Sequence, residues 1–541
     1  MSRTGTGGAR AQRVGLPVLA RPVPARPAAD GTAWPAFHGG DDAPRIGLVT
    51  LGCDKNTVDS ERLLARLAGT GARLAADPDE ANVVIVNTCG FIDVAKEESV
   101  DTILEAVRLK TEGRVRAVVV MGCLVQRYKD ELAREMPEVD LFLGLTEIER
   151  LVPELRARGL ITAPDVRRHN MEPPSRLLSS GVRHTSWLKV SEGCDHGCAF
   201  CAIPLMRGKH RSTPIGTLAR EAAQLEAAGV VELNLISQDT TWYGRDLARG
   251  DDPYPPEFFV GRPFTGMAGL DAADGPWRPG APCAPDRSDP DAFARARRGL
   301  LPDLLRALLD QTSIPWLRLF YMYPSGIQPD LVELIASEPR IVPYIDMPIQ
   351  HGADTVLHRM RRPERRATIL ERAGWLRGAI PDIALRTTVI VGFPGETEEE
   401  FEQLLDLLEE ARFDHLGAFA YSVEENTPAS TMPDPVPGPV KRERLERLLD
   451  VQRGIAQERN ETQLGRETVL LVDRVVGRDA EAGADAINAE RGVIGRTARQ
   501  ALDIDGVVHV AEAQRLGPGA FVRVRLTDAI ESDFAGELVD A

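Results

Sequence analysis

Three thiols crowd one short stretch of this 541-residue chain. Cys194, Cys198 and Cys201 stand at C-x3-C-x2-C spacing within Ser191-Glu192-Gly193-Cys194-Asp195-His196-Gly197-Cys198-Ala199-Phe200-Cys201. The stretch follows the β-favouring run Trp187-Leu188-Lys189-Val190, so it reads as a metal-site loop on a strand end. Four thiolates close the coordination of a cubane iron-sulfur cluster, whereas three leave one iron with a position for an outside ligand. Such an opening suits chemistry better than electron storage. Gly193 and Gly197 let the backbone wrap a bulky cluster, and Phe200 places an aromatic where a flat ring such as adenine packs. Tetrahedral zinc is the competitor, but it needs a fourth nitrogen or sulfur ligand, and the loop offers only His196. Three buried structural cysteines are the remaining alternative.

A second set of three is dispersed. Cys53, Cys89 and Cys123 lie 36 and 34 residues apart. Each follows a short apolar run, Ile46-Gly47-Leu48-Val49-Thr50-Leu51, Val83-Val84-Ile85-Val86 and Ala117-Val118-Val119-Val120-Met121, and each precedes a helical period. In a parallel doubly wound sheet all such strand ends share one edge, where ligands bind, so the three thiols are expected to converge on a second metal site. The seventh cysteine, Cys283, sits in a Pro/Gly/Asp-rich stretch and reads as a bystander.

The elements that must position these groups form two βα series and a β-rich tail. Residues 1–44 read as a disordered extension and 45–160 as the doubly wound cluster domain, with 161–184 as a linker. Residues 185–440 carry six strand-like runs with helices between them, which suggests an incomplete barrel whose carboxyl-end loops form the active site. Within it, 246–300 loses all periodicity and reads as an irregular surface insertion. Residues 441–463 are a charged linking helix, and 464–541 a small β-barrel of oligonucleotide-binding type. Strand ends of the central barrel carry Gln238, Asp346, Gln350, Gly392 and Glu396, which are expected to face a cofactor. The Gly/Pro turn at 392–395 opens a helix whose free amides suit a carboxylate. Arg207 and His351 are candidates for substrate contact, each with a structural alternative. With open metal clusters as the reactive groups, the chemistry is expected on cofactors and no catalytic acid or base is expected.

The totals agree with a soluble multidomain enzyme. Hydrophobic residues make up 43% of the chain, and no apolar run is long enough for a membrane span. Cysteines in threes fit metal ligation in a reducing cytoplasm. A formal charge of −16, from 65 basic and 81 acidic residues, argues against a phosphate backbone as main partner and is compatible with a basic protein. The first 29 residues hold five arginines and no acid, but recurrent prolines argue against a transit peptide.

With its spacing and its aromatic before the last cysteine, the 194–201 loop resembles the radical S-adenosylmethionine (SAM) superfamily. That resemblance implies a [4Fe-4S] cluster whose free iron binds SAM, and reductive cleavage of SAM to methionine and a 5′-deoxyadenosyl radical. The stretches Leu51-Gly52-Cys53-Asp54-Lys55-Asn56, Val86-Asn87-Thr88-Cys89-Gly90-Phe91-Ile92 and Met121-Gly122-Cys123-Leu124 narrow it to the methylthiotransferases, implying a second [4Fe-4S] cluster on the first trio. The β-rich tail resembles a TRAM domain, usually an RNA-binding appendage. From Gln463 onward it holds nine arginines and no lysine against fourteen acids, so RNA contact is not favoured and something cationic is expected.

Methylthiotransferases divide mainly into those that modify adenosines in transfer RNA and those that modify an aspartate of ribosomal protein S-twelve. The chain resembles the latter, the RimO type, in Gly52-Cys53-Asp54-Lys55-Asn56, Val58-Asp59-Ser60 and Ser237-Gln238-Asp239-Thr240-Thr241-Trp242-Tyr243-Gly244. It departs at Thr213, where an arginine is usual, in the insertion and in the basic N-terminal tail. The resemblance implies as partners the ribosomal protein or its subunit, a flavodoxin- or ferredoxin-like electron donor and a sulfur source. A transfer RNA methylthiotransferase is the alternative.

Overall fold

A computed structural model describes residues 44–70, 72–75, 80–161, 175–179, 182–247, 299–476, 492–511, 513 and 515–539. The expected extension, Cys283, nearly all of the insertion and most of the linker lie outside the described residues. Among these, no helix is long and apolar enough to cross a membrane.

The first unit is a five-stranded parallel sheet of β1 (Arg45–Thr50), β2 (Arg73–Leu74), β3 (Val83–Thr88), β4 (Ala117–Gly122) and β5 (Leu141–Gly144), in the order β2-β1-β3-β4-β5. Its central strands are apolar on both sides because helices cover both faces. Val84, Val86, Val118 and Val120 pack under helices Asp93–Thr111 and Cys123–Glu135. Ile46, Val83, Ile85 and Val119 pack under Asp54–Ala68 and Leu151–Ala157. That last helix lies in a stretch of the sequence without an evident period. The chain therefore winds in both directions from β1, and the switch point falls between β1 and β3.

The second unit is a six-stranded parallel sheet of β6 (Thr185–Lys189), β9 (Glu232–Ile236), β10 (Trp316–Leu319), β11 (Ile341–Asp346), β12 (Ala384–Val391) and β13 (His415–Ala420). The strands pair in chain order and β6 does not pair with β13, as expected of a partial barrel. A two-stranded ribbon, β7 (Ser191–Glu192) with β8 (Arg211–Ser212), follows β6 and carries the cysteine loop between its strands. Helix Gly438–Glu461 does more than link: its Leu448 and Ile455 belong to the barrel's own core.

The tail closes into a barrel, β14 (Glu467–Val476), β15 (Gly492–Thr497), β16 (Val508–Ala511), β18 (Asp533–Leu538) and β17 (Phe521–Ile530). Its segment 496–505 touches every strand of the central unit. Arg496 reaches Glu232 on β9 at 2.7 Å and Thr185 on β6 at 3.4 Å. Arg318 on β10 donates to the Ala498 carbonyl. Asp505 accepts from Tyr344 on β11 and Arg386 on β12, and the Arg499 carbonyl meets His415 on β13. Leu471 and Ala501 pack with Ile236, Phe320 and Tyr344. Ion pairs thus lock this unit to the central one through Arg496, Arg499 and Asp505.

Candidate active site

Strand-end geometry brings the dispersed thiols together. Cys53 follows β1, Cys89 follows β3 and Cys123 opens the helix after β4, so the trio straddles the switch point. Close approach depends on two glycines. A Cβ on Gly52 would stand 2.7 Å from Cys89 Cβ, and one on Gly90 would stand 2.7 Å from the Leu124 backbone nitrogen. Each of the three thiols lies within electrostatic reach of the others. Burial pushes the Cys123 thiol up to about 12 and raises that of Cys89. A protein that buries thiols this way disfavours their thiolates until a cation compensates, which is what an iron cluster does.

The second trio is held by the β7–β8 ribbon and by loops from distant strands. Ala199 donates to the Met360 carbonyl and accepts from Ala429, tying the loop to the segments after β11 and β13. Burial raises Cys194 well above the ordinary thiol range and Cys201 to about 12. Among the described residues, no three His, Cys, Asp or Glu side chains are close enough to hold a single metal ion. Three thiols with no free fourth nitrogen or sulfur donor suit an iron-sulfur cluster with an open corner better than tetrahedral zinc. His196, the zinc reading's fourth ligand, is engaged elsewhere: its Nε2 is 2.7 Å from Asp239 Oδ2 and its ring stacks on Tyr323 at 4.2 Å.

Both trios open on one seam. Arg207, six residues past Cys201, crosses it to Asn56 Oδ1 at 2.6 Å and Asp59 Oδ2 at 3.1 Å, while also bonding Glu192 at 2.8 Å. Glu192, Cys123 and Asp59 hold its guanidinium charged despite burial. Lys189 joins Asp59 to Glu192 beside it. On the other flank Glu424 bonds Arg127 at 2.8 Å and Lys96 at 3.2 Å. Arg127 also donates to the carbonyl of Gly90, next to Cys89, and Glu424 lies within electrostatic reach of Cys201. Cys123 packs against Ala202 and Met206. The substrate contact expected of Arg207 is replaced by this bridging position.

The remaining candidates divide. Gln238 leaves both side-chain amide atoms buried without a hydrogen-bond partner, at the end of β9, and so fits a ligand-facing role. Phe200 is half-buried among Ala353, Met360, Phe393 and Tyr421. Gln350 has φ +69 and is stitched to β12 through its backbone, from its N–H to the Thr388 carbonyl and from the Ile390 N–H to its own carbonyl. Asp346 is occupied by Arg386 at 2.8 Å and the Tyr321 amide at 3.0 Å. Glu396 turns inward: its Oε2 accepts from the Gly392 and Phe393 amides at 2.8 and 3.2 Å, and its Oε1 from Arg444 at 2.7 Å. The turn amides expected to hold a cofactor carboxylate are filled by the chain's own. His351 is likewise internal, 3.3 Å from Glu396 and accepting from the Ala353 amide. These three polar groups therefore brace the barrel mouth.

Of the two groups that touch Cys198, sequence reasoning picks out Tyr323 only as a polar strand-end residue and misses Arg362. Tyr323 Oη lies 3.6 Å and Arg362 Nη1 4.0 Å from its sulfur, and the Arg362 guanidinium covers the Tyr323 ring at 3.8 Å, opposite His196. Tyr323 is visible as a strand-end residue. Arg362, in Arg359-Met360-Arg361-Arg362, carries no signal that separates it from its neighbours.

Family models match in three places: "Uncharacterized protein family UPF0004" over residues 45–144, the radical SAM superfamily over 188–408 and a TRAM domain over 465–539. The chain is 43% identical to the ribosomal protein uS12 methylthiotransferase RimO of Anaeromyxobacter sp. (strain K), covering 92% of this chain and 94% of that protein. It belongs to the RimO family of methylthiotransferases. Another family member, from Geobacter sulfurreducens, is 40% identical over 92% of this chain and 98% of its own. Among solved structures, the radical SAM methyltransferase TsrM from Kitasatospora setae aligns at TM-score 0.48 and 12% identity, covering 72% of this chain and 75% of that one. In this RimO-family chain the first matched region holds Cys53, Cys89 and Cys123, and the second holds Cys194, Cys198 and Cys201.

Proposed function

We propose that this radical SAM methylthiotransferase replaces a hydrogen on the β-carbon of an aspartate in ribosomal protein uS12 with a methylthio group. On this reading Cys53, Cys89 and Cys123 hold one [4Fe-4S] cluster and Cys194, Cys198 and Cys201 another, and two SAM molecules are consumed. The clusters with SAM supply the radical and the sulfur chemistry. The chain's own residues bind, orient and shield. The cysteine loop, clamped by Met360 and Ala429, fixes the second trio. Gln238 offers a buried donor and acceptor to the SAM-bearing mouth, beside Phe200. Arg207, Lys189 and Glu424 hold the first trio against that mouth, so a carbon placed between them meets both.

The observation that carries this reading is that two separate sets of three thiols share one seam. A flavodoxin- or ferredoxin-like electron donor, a sulfur source and a cytoplasmic location go with it. We expect Cys198→Ala to abolish SAM cleavage, and Cys89→Ala to retain cleavage while blocking methylthiolation, as read by mass spectrometry of 5′-deoxyadenosine and of uS12. Full product from either variant overturns the assignment. Methylthio groups appearing on transfer RNA adenosine and not on uS12 would overturn the substrate.

A further inference from the structure

We propose that Lys55 receives the carboxylate of the substrate's target aspartate; this rests on the aspartate reading above. Lys55 stands two residues after Cys53 in the first turn of helix Asp54–Ala68, yet its ammonium crosses to the barrel mouth. There Nζ lies 3.5 Å above the centroid of the Tyr321 ring, just past β10, and the residue is 6% exposed.

The cations already named around the seam each have a carboxylate. Lys189 has Asp59 and Glu192, Arg207 the same two, Lys96 and Arg127 have Glu424, and Arg386 has Asp346 and Asp505. Among the described residues, none brings a carboxylate oxygen to ion-pair distance of Lys55. Burial works against its charge, and the negative groups it senses, Cys53 and Asp54 ahead of Asp346, all lie beyond ion-pair distance; Asp346 is already shared between Arg386 and the Tyr321 amide.

A buried ammonium held only by a ring face is under-satisfied, because it has three N–H donors and the ring meets one side. It therefore keeps a place for an anion. The proposed substrate brings one: its carboxylate carbon is bonded directly to the β-carbon that reacts. Gripping that carboxylate from a lysine two residues past Cys53 puts the β-carbon beside the first trio and over the barrel mouth. The same group would discriminate an aspartate from its neutral amide, since the amide presents no charge to offset the lysine's burial.

The test compares two fluorescent uS12 peptides, one carrying the target aspartate and one with asparagine there, binding to the full-length reconstituted protein by anisotropy. The native chain should prefer the aspartate peptide about tenfold. Lys55→Met should bring that ratio close to one, and Lys55→Arg should restore much of it. Iron content is measured alongside. Should Lys55→Met lose iron, the comparison moves to Lys55→Gln, and loss in both overturns the proposal because the lysine would then serve the fold. An unchanged ratio in the neutral variant, or a native chain indifferent to the charge, also overturns it. A native chain that neither binds nor modifies either peptide sinks the uS12 reading itself.

Discussion

Cys198 differs from its two loop partners in what surrounds its sulfur. Tyr323 Oη and Arg362 Nη1 both point at it, and Tyr323 cannot swing away because His196 and Arg362 sandwich its ring. Hydrogen bonds to a cluster sulfur withdraw electron density and raise the reduction potential. Tyr323→Phe removes one donor while keeping the stack. We expect it to retain iron and to move the midpoint of the second cluster to a more negative potential, in an electron paramagnetic resonance titration on a Cys53/Cys89/Cys123→Ala background. An unmoved midpoint would make the contact purely structural.

At the scale of elements, three βα turns must bring thiols from separate strands to one point, and the turns succeed by being small. Gly90 abuts the backbone of Cys123 and Leu124, so closely that a Cβ at this position would fall 2.9 Å from the Cys123 carbonyl carbon. Backbone cannot yield as a flexible side chain does, so Gly90→Ala must push two turns apart. The expected cost is about 1–3 kcal/mol of stability. Iron content of the first trio should fall while that of the second, on its own ribbon, stays. Equal loss from both would show that the two sites are not built independently.

At the scale of the whole molecule, the tail barrel is locked to the central one through a buried ion cluster. Glu232 is fully buried, 2.9 Å from Arg318 and 2.7 Å from Arg496. Burial pushes its carboxyl up, but the Arg496 and Arg318 guanidiniums outweigh that and hold it down to about 2, against an ordinary 4.5. A depressed carboxyl stabilises the fold fully above the unfolded value and loses that contribution as pH falls through the folded one. Stability against urea should therefore decline between about pH 4.5 and about pH 2 for this pair. In Glu232→Gln the carboxylate is gone at every pH, so that part of the decline disappears. The variant should be less stable near neutrality by about 3–5 kcal/mol, because two guanidiniums remain buried. A native acid slope in Glu232→Gln would place the titration elsewhere.

The two cysteine trios and the three-unit architecture were legible because they rest on local signals. Thiol spacing in one loop, and a cysteine after each apolar run, are set by chain order, and parallel βα topology then dictates that strand ends meet. The polar groups at the barrel mouth were less so. Glu396, His351 and Asp346 sit where a cofactor would be expected, yet their partners Arg444 and Arg386 come from 48 and 40 residues away. Arg207, Glu424, Arg362 and Lys55 take their roles from groups more distant still. By itself the sequence determined the two cysteine sets and the order of strands that presents them, because both depend on residues near in the chain. Only the tertiary structure decided which charges pair across the seam and which ammonium is left for a substrate, because ion pairing depends on distance in space and on burial.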